Sequence, residues 1–440
     1  MKKIFSFLIS LSTFLCYAQV KQYTLEECVM IALEQNISIQ QSELDLEGAD
    51  IDKADAFGNF FPRINAQSQH IWNNGLSQNI TNGLIENLTT QFSSLGGNLG
   101  VTIFNGRQNI NQLARANLSI ISRQYQLEDM KDDVSLFVAN TYLQVMFNKE
   151  LEDVQRYQLE LAQRELERTQ IRIDAGVQTR ADIYEIEANL AAQEQALVQA
   201  ENSSQLSKIS LAQLLLITDY ENFDIADVDY DVPLSQILLE EPKKIYEKAL
   251  TLRNDIKVGV TNIDIAKKDI KLAKGALLPS LSAFYNYNTR ISYSDRFVET
   301  GNLIETPIGV VKENGSIVVT QFPEREITAA QSFGDQFRQN DGHSYGLSLN
   351  IPIFNGLAVK NNIKRRKLNL KRAENLFEQT KLDLENTINQ AYNNAEGAYK
   401  FYEASKKTLK ARRESYLMAE QRFEIGVMNS YDFIQAKQRL

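Results

Sequence analysis

The sequence predicts an α+β chain of long antiparallel helical hairpins joined to four β-strands, and three observations predict it. Arg107 to Ala175 is a run of 69 residues with neither proline nor glycine, so nothing in it breaks a helix. Four segments alternate apolar and polar residues with period two, the pattern of a strand with one apolar and one polar face. Finally, much of the chain occurs twice: Ile103-Phe104-Asn105-Gly106 returns as Ile353-Phe354-Asn355-Gly356, an offset of 250. The same offset carries Leu118 onto Leu368, Tyr142 onto Tyr392, Gly176-Val177 onto Gly426-Val427 and Asp182 onto Asp432 without a gap.

Residues 1–18 read as a secretory signal: Lys2 and Lys3, an apolar stretch from Ile4 to Leu15, then Cys16-Tyr17-Ala18 as the cleavage pattern. Beyond them no apolar run approaches the roughly 20 residues of a membrane-spanning helix. The first repeat, 19–217, holds a helix, a strand pair at 63–105 and a helical hairpin at 107–217. In that pair Leu99, Val101 and Ile103 alternate with Asn98, Gly100 and Thr102, with a fainter version at Ile64, Ala66, Ser68 and His70. In the hairpin Leu127, Met130, Val134, Phe137, Thr141 and Val145 make one helical stripe. At ~1.5 Å per residue its first helix would be on the order of 100 Å long. Residues 218–242 form an acidic linker from Asp219 to Pro233 and beyond, without the glycine and glutamate register of a calcium loop.

The second repeat, 243–440, holds a helix, a strand pair at 280–355 and a hairpin at 357–440. Its strands show in Leu281, Ala283, Tyr285 and Tyr287, and again in Tyr345, Leu347, Leu349 and Ile351. Phe61-Pro62 faces Leu278-Pro279 at an offset of 217, against 250 further on, so 33 extra residues lie between the strands and read as a long loop. Gly176 to Ile217 gives the first hairpin a returning helix of 41 residues, whereas 14 follow Gly426. The repeat therefore predicts about 27 further residues, absent because the chain is a fragment or because its last helix is short.

With 47 basic and 56 acidic residues the formal charge is −9, which gives no drive toward nucleic acid. Two histidines and two cysteines are too few to expect a metal centre. No glycine-rich phosphate loop precedes a helix, and neither His70 nor His343 stands in a nucleophile motif, so no catalytic residue and no cofactor are predicted. Period two alone fits a half-buried soluble hairpin as well as a membrane strand; the export signal and the tyrosines favour the membrane. Trp72, Tyr285, Tyr287 and Tyr293 then read either as an interfacial girdle or as plain strand-formers. Four strands cannot close a barrel, since about eight is the smallest, and an open sheet leaves bare edges in lipid. Three copies would supply 12 strands.

Taken in order and duplicated, these motifs resemble the outer-membrane efflux family, the TolC-like channels. The likeness rests on Tyr23-Thr24-Leu25-Glu26-Glu27-Cys28 with Ala32-Leu33-Glu34-Gln35-Asn36, on Phe61-Pro62 and Leu278-Pro279, and on the two Ile-Phe-Asn-Gly corners. It rests also on the turns Arg172 to Val177 and Arg422 to Val427, each with an Asp six residues after its Gly. The resemblance implies a homotrimer with a 12-stranded barrel in outer-membrane lipid and a helical tunnel in the periplasm. It implies docking to a periplasmic adaptor and an inner-membrane pump of RND or ABC type. Carried onto this chain, Gly176, Val177, Gly426 and Val427 become the adaptor contact at the hairpin tips. Asp432 and, secondarily, Asp182 become the pore constriction, and Arg172 and Arg422 candidates for tip salt bridges or solvated surface cations. The family often has a second acid three residues on, where this chain has Gln435. The competing reading is a soluble periplasmic coiled-coil adaptor or scaffold.

Overall fold

The computed structural model describes residues 21–78, 84–177, 179–227, 240–428 and 430–439; the predicted signal segment lies outside the described residues. The first half runs β1 (Lys21–Tyr23), α1 (Leu25–Gln35), α2 (Ile37–Gly58), β2 (Arg63–Gln78), β3 (Ile85–Asn105), α3 (Gln108–Asp174) and α4 (Ala181–Leu214). After β4 (Phe223–Ile225) come α5 (Pro242–Leu252), α6 (Asn254–Gly275), β5 (Ser280–Ser292), β6 (Arg296–Val310), β7 (Ile317–Thr328), α7 (Phe333–Gln339), β8 (Gly342–Asn350), α8 (Ala358–Glu424) and α9 (Ser430–Gln438). The first three helices of each half match in length, α1 and α5 with 11 residues each, α2 and α6 with 22, and α3 and α8 with 67, while α4 has 34 residues against 9 in α9.

Local chemistry explains the boundaries. Thr24 caps α1 in a full capping box, its hydroxyl accepting from the Glu27 amide while the Glu27 carboxylate accepts from the Thr24 amide at 2.9 Å. At both strand-to-helix corners two successive residues are left-handed, Gly106 and Arg107 in one repeat, Gly356 and Leu357 in the other, so the corner is a backbone feature and not only a sequence motif.

Contacts divide the chain into two compact units. The first comprises Met1–Asp50, Leu118–Asp264 and Lys371–Leu440. Its core gathers Cys28, Ala32 and Ile39 with Val138, Tyr142 and Val145 of α3 and Leu211 and Leu215 at the end of α4. The Tyr142 hydroxyl donates to the carbonyls of Tyr23 and Ala226, tying α3 to the parallel β1–β4 pair. Leu127, Val134 and Val145 of the predicted stripe are buried and Met130 packs against them. Between Val134 and Val145, however, the buried positions are Val138 and Tyr142, while Phe137 is exposed and the Thr141 hydroxyl donates to the Phe137 carbonyl. Part of the acidic linker is also more than solvated chain. Asp224 and Asp227 hold the Lys149 ammonium at 3.3 and 2.8 Å, and these carboxylates outweigh burial to raise its pKa. Residues 228–239 lie outside the described residues.

The second unit, Ile51–Asn117 with Ile265–Leu370, contains a four-stranded antiparallel sheet of order β2-β3-β5-β8. Its strands have 16, 21, 13 and 9 residues, so the first pair runs well past the alternating residues that predict it. The 33 extra residues are no plain loop: β6 and β7 pair as a separate two-stranded hairpin, followed by α7. No described helix is long and apolar enough to cross a membrane.

Candidate functional site: a two-faced sheet and two matched turns

The register of the sheet decides what it can do. Ile64 lies opposite Leu99, Leu99 opposite Tyr285, and Tyr285 opposite Tyr345, so one row across four strands is wholly apolar or aromatic. One residue along, Asn65, Asn98, Asn286 and Ser344 form a row that is wholly polar. Because side chains alternate, the rows toward the corners keep the first face apolar, Ala283 with Leu347 and Leu281 with Leu349. The second face there carries Ser282 with Ser348 and one ring, Phe284, between Gly100 and Gly346. Away from the corners the faces are mixed, with His70 opposite Ser93 on the first and Ile71 opposite Phe92 on the second. The first face is bare, with Tyr345 81% and Leu347 67% exposed. A period-two pattern in four separate segments has thus become one continuous apolar surface over the rows nearest the corners. Both edge strands, β2 and β8, carry open backbone edges among the described residues.

The aromatic residues singled out in the sequence fall in two places on that sheet. Trp72 and Tyr293 flank His70, with ring centroids at 4.0 and 5.5 Å, and the Ser93 hydroxyl bridges His70 Nδ1 (2.6 Å) and the Tyr293 hydroxyl (3.1 Å). Tyr285 and Tyr287 lie lower on β5, both beside His343; the Tyr285 hydroxyl is 2.7 Å from His343 Nδ1. Tyr287 also meets Phe337 of α7, so it is half-covered where Tyr285 is exposed. Sequence reasoning gave the histidines no role, and the sheet makes them polar anchors for aromatic rings. Above β8, α7 covers the free edge of β5: Gln336 Oε1 accepts from the Ser292 amide and Gln336 Nε2 donates to the Ser292 carbonyl, both at 2.8 Å.

The two predicted tips have one backbone. At the end of α3 the Val177 amide donates to the Arg172 carbonyl and the Gly176 amide to that of Ile173, both at 2.9 Å. At the end of α8 the Val427 amide donates to the Arg422 carbonyl (2.9 Å) and the Gly426 amide to that of Phe423 (3.1 Å). Gly176 and Gly426 both stand at φ +75°, which closes the same left-handed helix terminus twice. Val177 and Val427 project, 78% and 73% exposed.

Around the second tip lies a group that sequence reasoning missed. Phe423 stacks on Phe433 with centroids 4.4 Å apart, Phe433 is buried, and the Arg172 guanidinium lies 4.8 Å over the Phe423 ring. The signal was present in the repeat: Phe423 and Phe433 replace Ile173 and Ile183 at the 250 offset. Arg172 therefore engages an aromatic ring of the other hairpin, while Arg422 is exposed and joins no ion pair among the described residues. Asp432 is exposed in the first turn of α9, beside buried Phe433. Asp182 lies in the first turn of α4, and its side chain is outside the described residues.

Known proteins match this architecture. The outer membrane protein VceC of Vibrio cholerae is 14% identical, with 94% of this chain and 89% of that one covered at a TM-score of 0.71. The Campylobacter jejuni CmeC outer membrane channel gives 16%, 94%, 79% and 0.72 for the same measures. The Neisseria gonorrhoeae MtrE outer membrane channel in its open state gives 16%, 94%, 82% and 0.67. Among curated protein sequences none matches. The family model described as outer membrane efflux protein matches residues 29–215 and 245–440, one segment for each repeat. The chain is thus a protein of the outer membrane and belongs to the outer membrane efflux protein family.

Proposed function

We propose that three copies of this chain form the exit duct of a tripartite export system, passively conducting cargo that an inner-membrane transporter of RND or ABC type delivers through a periplasmic adaptor. One observation carries the reading: a sheet with two open edges and a band of rows, from Ile64, Leu99, Tyr285 and Tyr345 toward the corners, that is apolar or aromatic on one face. Such a sheet is stable in lipid only when its edges are paired, and three copies joined β8 to β2 close a 12-stranded barrel, apolar outward and amide-lined within. Trp72 and Tyr293 above and Tyr285 below then lie at the two membrane interfaces, with Tyr287 just inside. A soluble scaffold has no use for a row that is apolar or aromatic on all four strands.

Val177 and Val427, held outward by their glycine-closed termini, are the adaptor contacts. Three Asp432 side chains around the axis concentrate negative charge where the duct narrows, with Asp182 outside them. Purified chain in detergent should have the mass of a trimer and conduct ions in planar bilayers. A monomer without conductance sinks the reading. Asp432→Ala is expected to raise the leak current, and an unchanged current removes Asp432 from the constriction.

A further inference from the structure

The helices of each unit stand side by side in one order. In the unit with the sheet, Asn109 Nδ2 donates to the Asn59 carbonyl just past α2 (2.9 Å), Arg115 of α3 pairs with Asp269 of α6 (2.7 Å), and Arg366 of α8 reaches the same Asp269 (3.8 Å). In the other unit Arg123 pairs with Asp45 (3.3 Å), Ser122 donates to Asn262 (3.2 Å), and Phe377 packs on Gly259. In both, α2 and α8 flank this row of four helices among the described residues, as β2 and β8 flank the sheet.

The flanks carry opposite charge. α2 has six acids and one lysine; Ala358 to Arg372 of α8 has seven cations and no acid. Each flank turns one side to its own neighbour, through Ile39, Ala49 and Ala56 on α2 and through Arg366, Phe377 and Leu384 on α8. At about 100° per residue the opposite side of α2 presents Glu47, Ile51 and Asp55, and that of α8 presents Lys364, Leu368 and Lys371. All six are exposed, the aliphatic Ile51 and Leu368 by 58% each, and none of the charged four joins an ion pair among the described residues.

The heights agree as well. Neighbouring helices are antiparallel, so counting from Asn59–Asn109, Arg115–Asp269 and Asp269–Arg366 brings Asp55 level with Lys364 and Ile51 level with Leu368. In the other unit the same count from its own three contacts brings Glu47 within one residue of Arg372 and Ile37 within one residue of exposed Leu382.

We propose that the two flanks are halves of one seam, α2 of each copy lying against α8 of the next, with Asp55 facing Lys364 and Glu47 facing Arg372 around an Ile51–Leu368 contact. The occupant is a second copy of this chain, and the seam rests on the ring reading given above. It continues the β8-to-β2 pairing as a head-to-tail contact that closes on itself. Matched charges of this kind select the register and reject a neighbour slid by one turn, where acid would meet leucine and lysine would meet isoleucine.

The test uses the full chain in membranes. Ile51→Cys with Leu368→Cys, oxidised with copper phenanthroline, is expected to give covalent dimers and trimers that neither single variant gives. Cys28 does not compete, being buried with its thiol pushed up to about 12. Asp55→Lys alone and Lys364→Asp alone are each expected to lower the trimer fraction about fivefold, less in high salt, and the double swap to restore it. A trimeric wild type whose cysteine pair never cross-links, or cross-links to a protein of another mass, and whose double swap does not recover overturns the seam and leaves the duct standing. A monomeric wild type overturns the ring reading itself.

Discussion

Gly106 and Gly356 occupy the same corner in the two repeats, yet only the first is crowded. A methyl group at Gly106 would collide with the Gly275 carbonyl oxygen, while nothing lies within 4 Å of Gly356; both are left-handed, at φ +66° and +60°. Gly356→Ala is therefore expected to cost only the conformational penalty, about 1–2 kcal/mol. Gly106→Ala adds a backbone clash and should cost clearly more, as judged by thermal melts in detergent; equal losses would show that the corner relaxes. Asp129 offers a test of charge. Burial pushes its carboxyl up, as do Asp255 and Asp133, and Arg253 only partly opposes them. A raised native pKa means that the contribution to stability is present in acid and lost as pH rises through that native value. Asp129→Asn should thus raise the melting temperature at pH 7, with the gain vanishing below roughly pH 3.

At the scale of elements, helix existence and length were open to reading because breakers are scarce and the repeat supplies a second copy of every boundary. The stripe of α3 was legible at Leu127, Met130, Val134 and Val145 but not at the two positions between Val134 and Val145. Phe137 and Val138 are both apolar and adjacent, so periodicity supports either stripe, and the choice is made by Tyr142, whose hydroxyl finds two carbonyls on the β1–β4 pair. The interval after β5 was misread for a related reason. Its apolar residues are interrupted by Gly301, Pro307 and Gly309, and the β6–β7 pairing shifts register in just those places, which hides period two from a linear scan. Four strands were legible, but their span was not, since polar stretches such as Asn73 to Gln78 extend β2 on pairing alone. Gln336 was invisible in the sequence because its partners are backbone atoms 44 residues away. Gln336→Ala is expected to leave the edge of β5 open, costing about 1–3 kcal/mol, and to speed hydrogen exchange at the Ser292 amide. Unchanged exchange there would mean that α7 is a bystander.

For the whole molecule, the first repeat joins its strands through the short span 79–84, whereas the second spends 293–341 on the same task. The β6–β7 hairpin forms its own sheet, so replacing 295–329 by a short turn should leave trimer mass and single-channel conductance unchanged. Lost conductance would give the hairpin a part in the wall. The tip residues were legible as positions through the 250 offset, and their shared backbone was not, since hydrogen bonds of a helix terminus leave no letter beyond the glycine.

The equal span of α3 and α8 binds the two halves of the molecule to a common growth rule. Removing one heptad from α3 alone would strand its terminal valine about 10 Å short of its counterpart. Trimming both by the same heptad would keep the two termini level, so any change of length in one helix is expected to be matched by an equal block in the other.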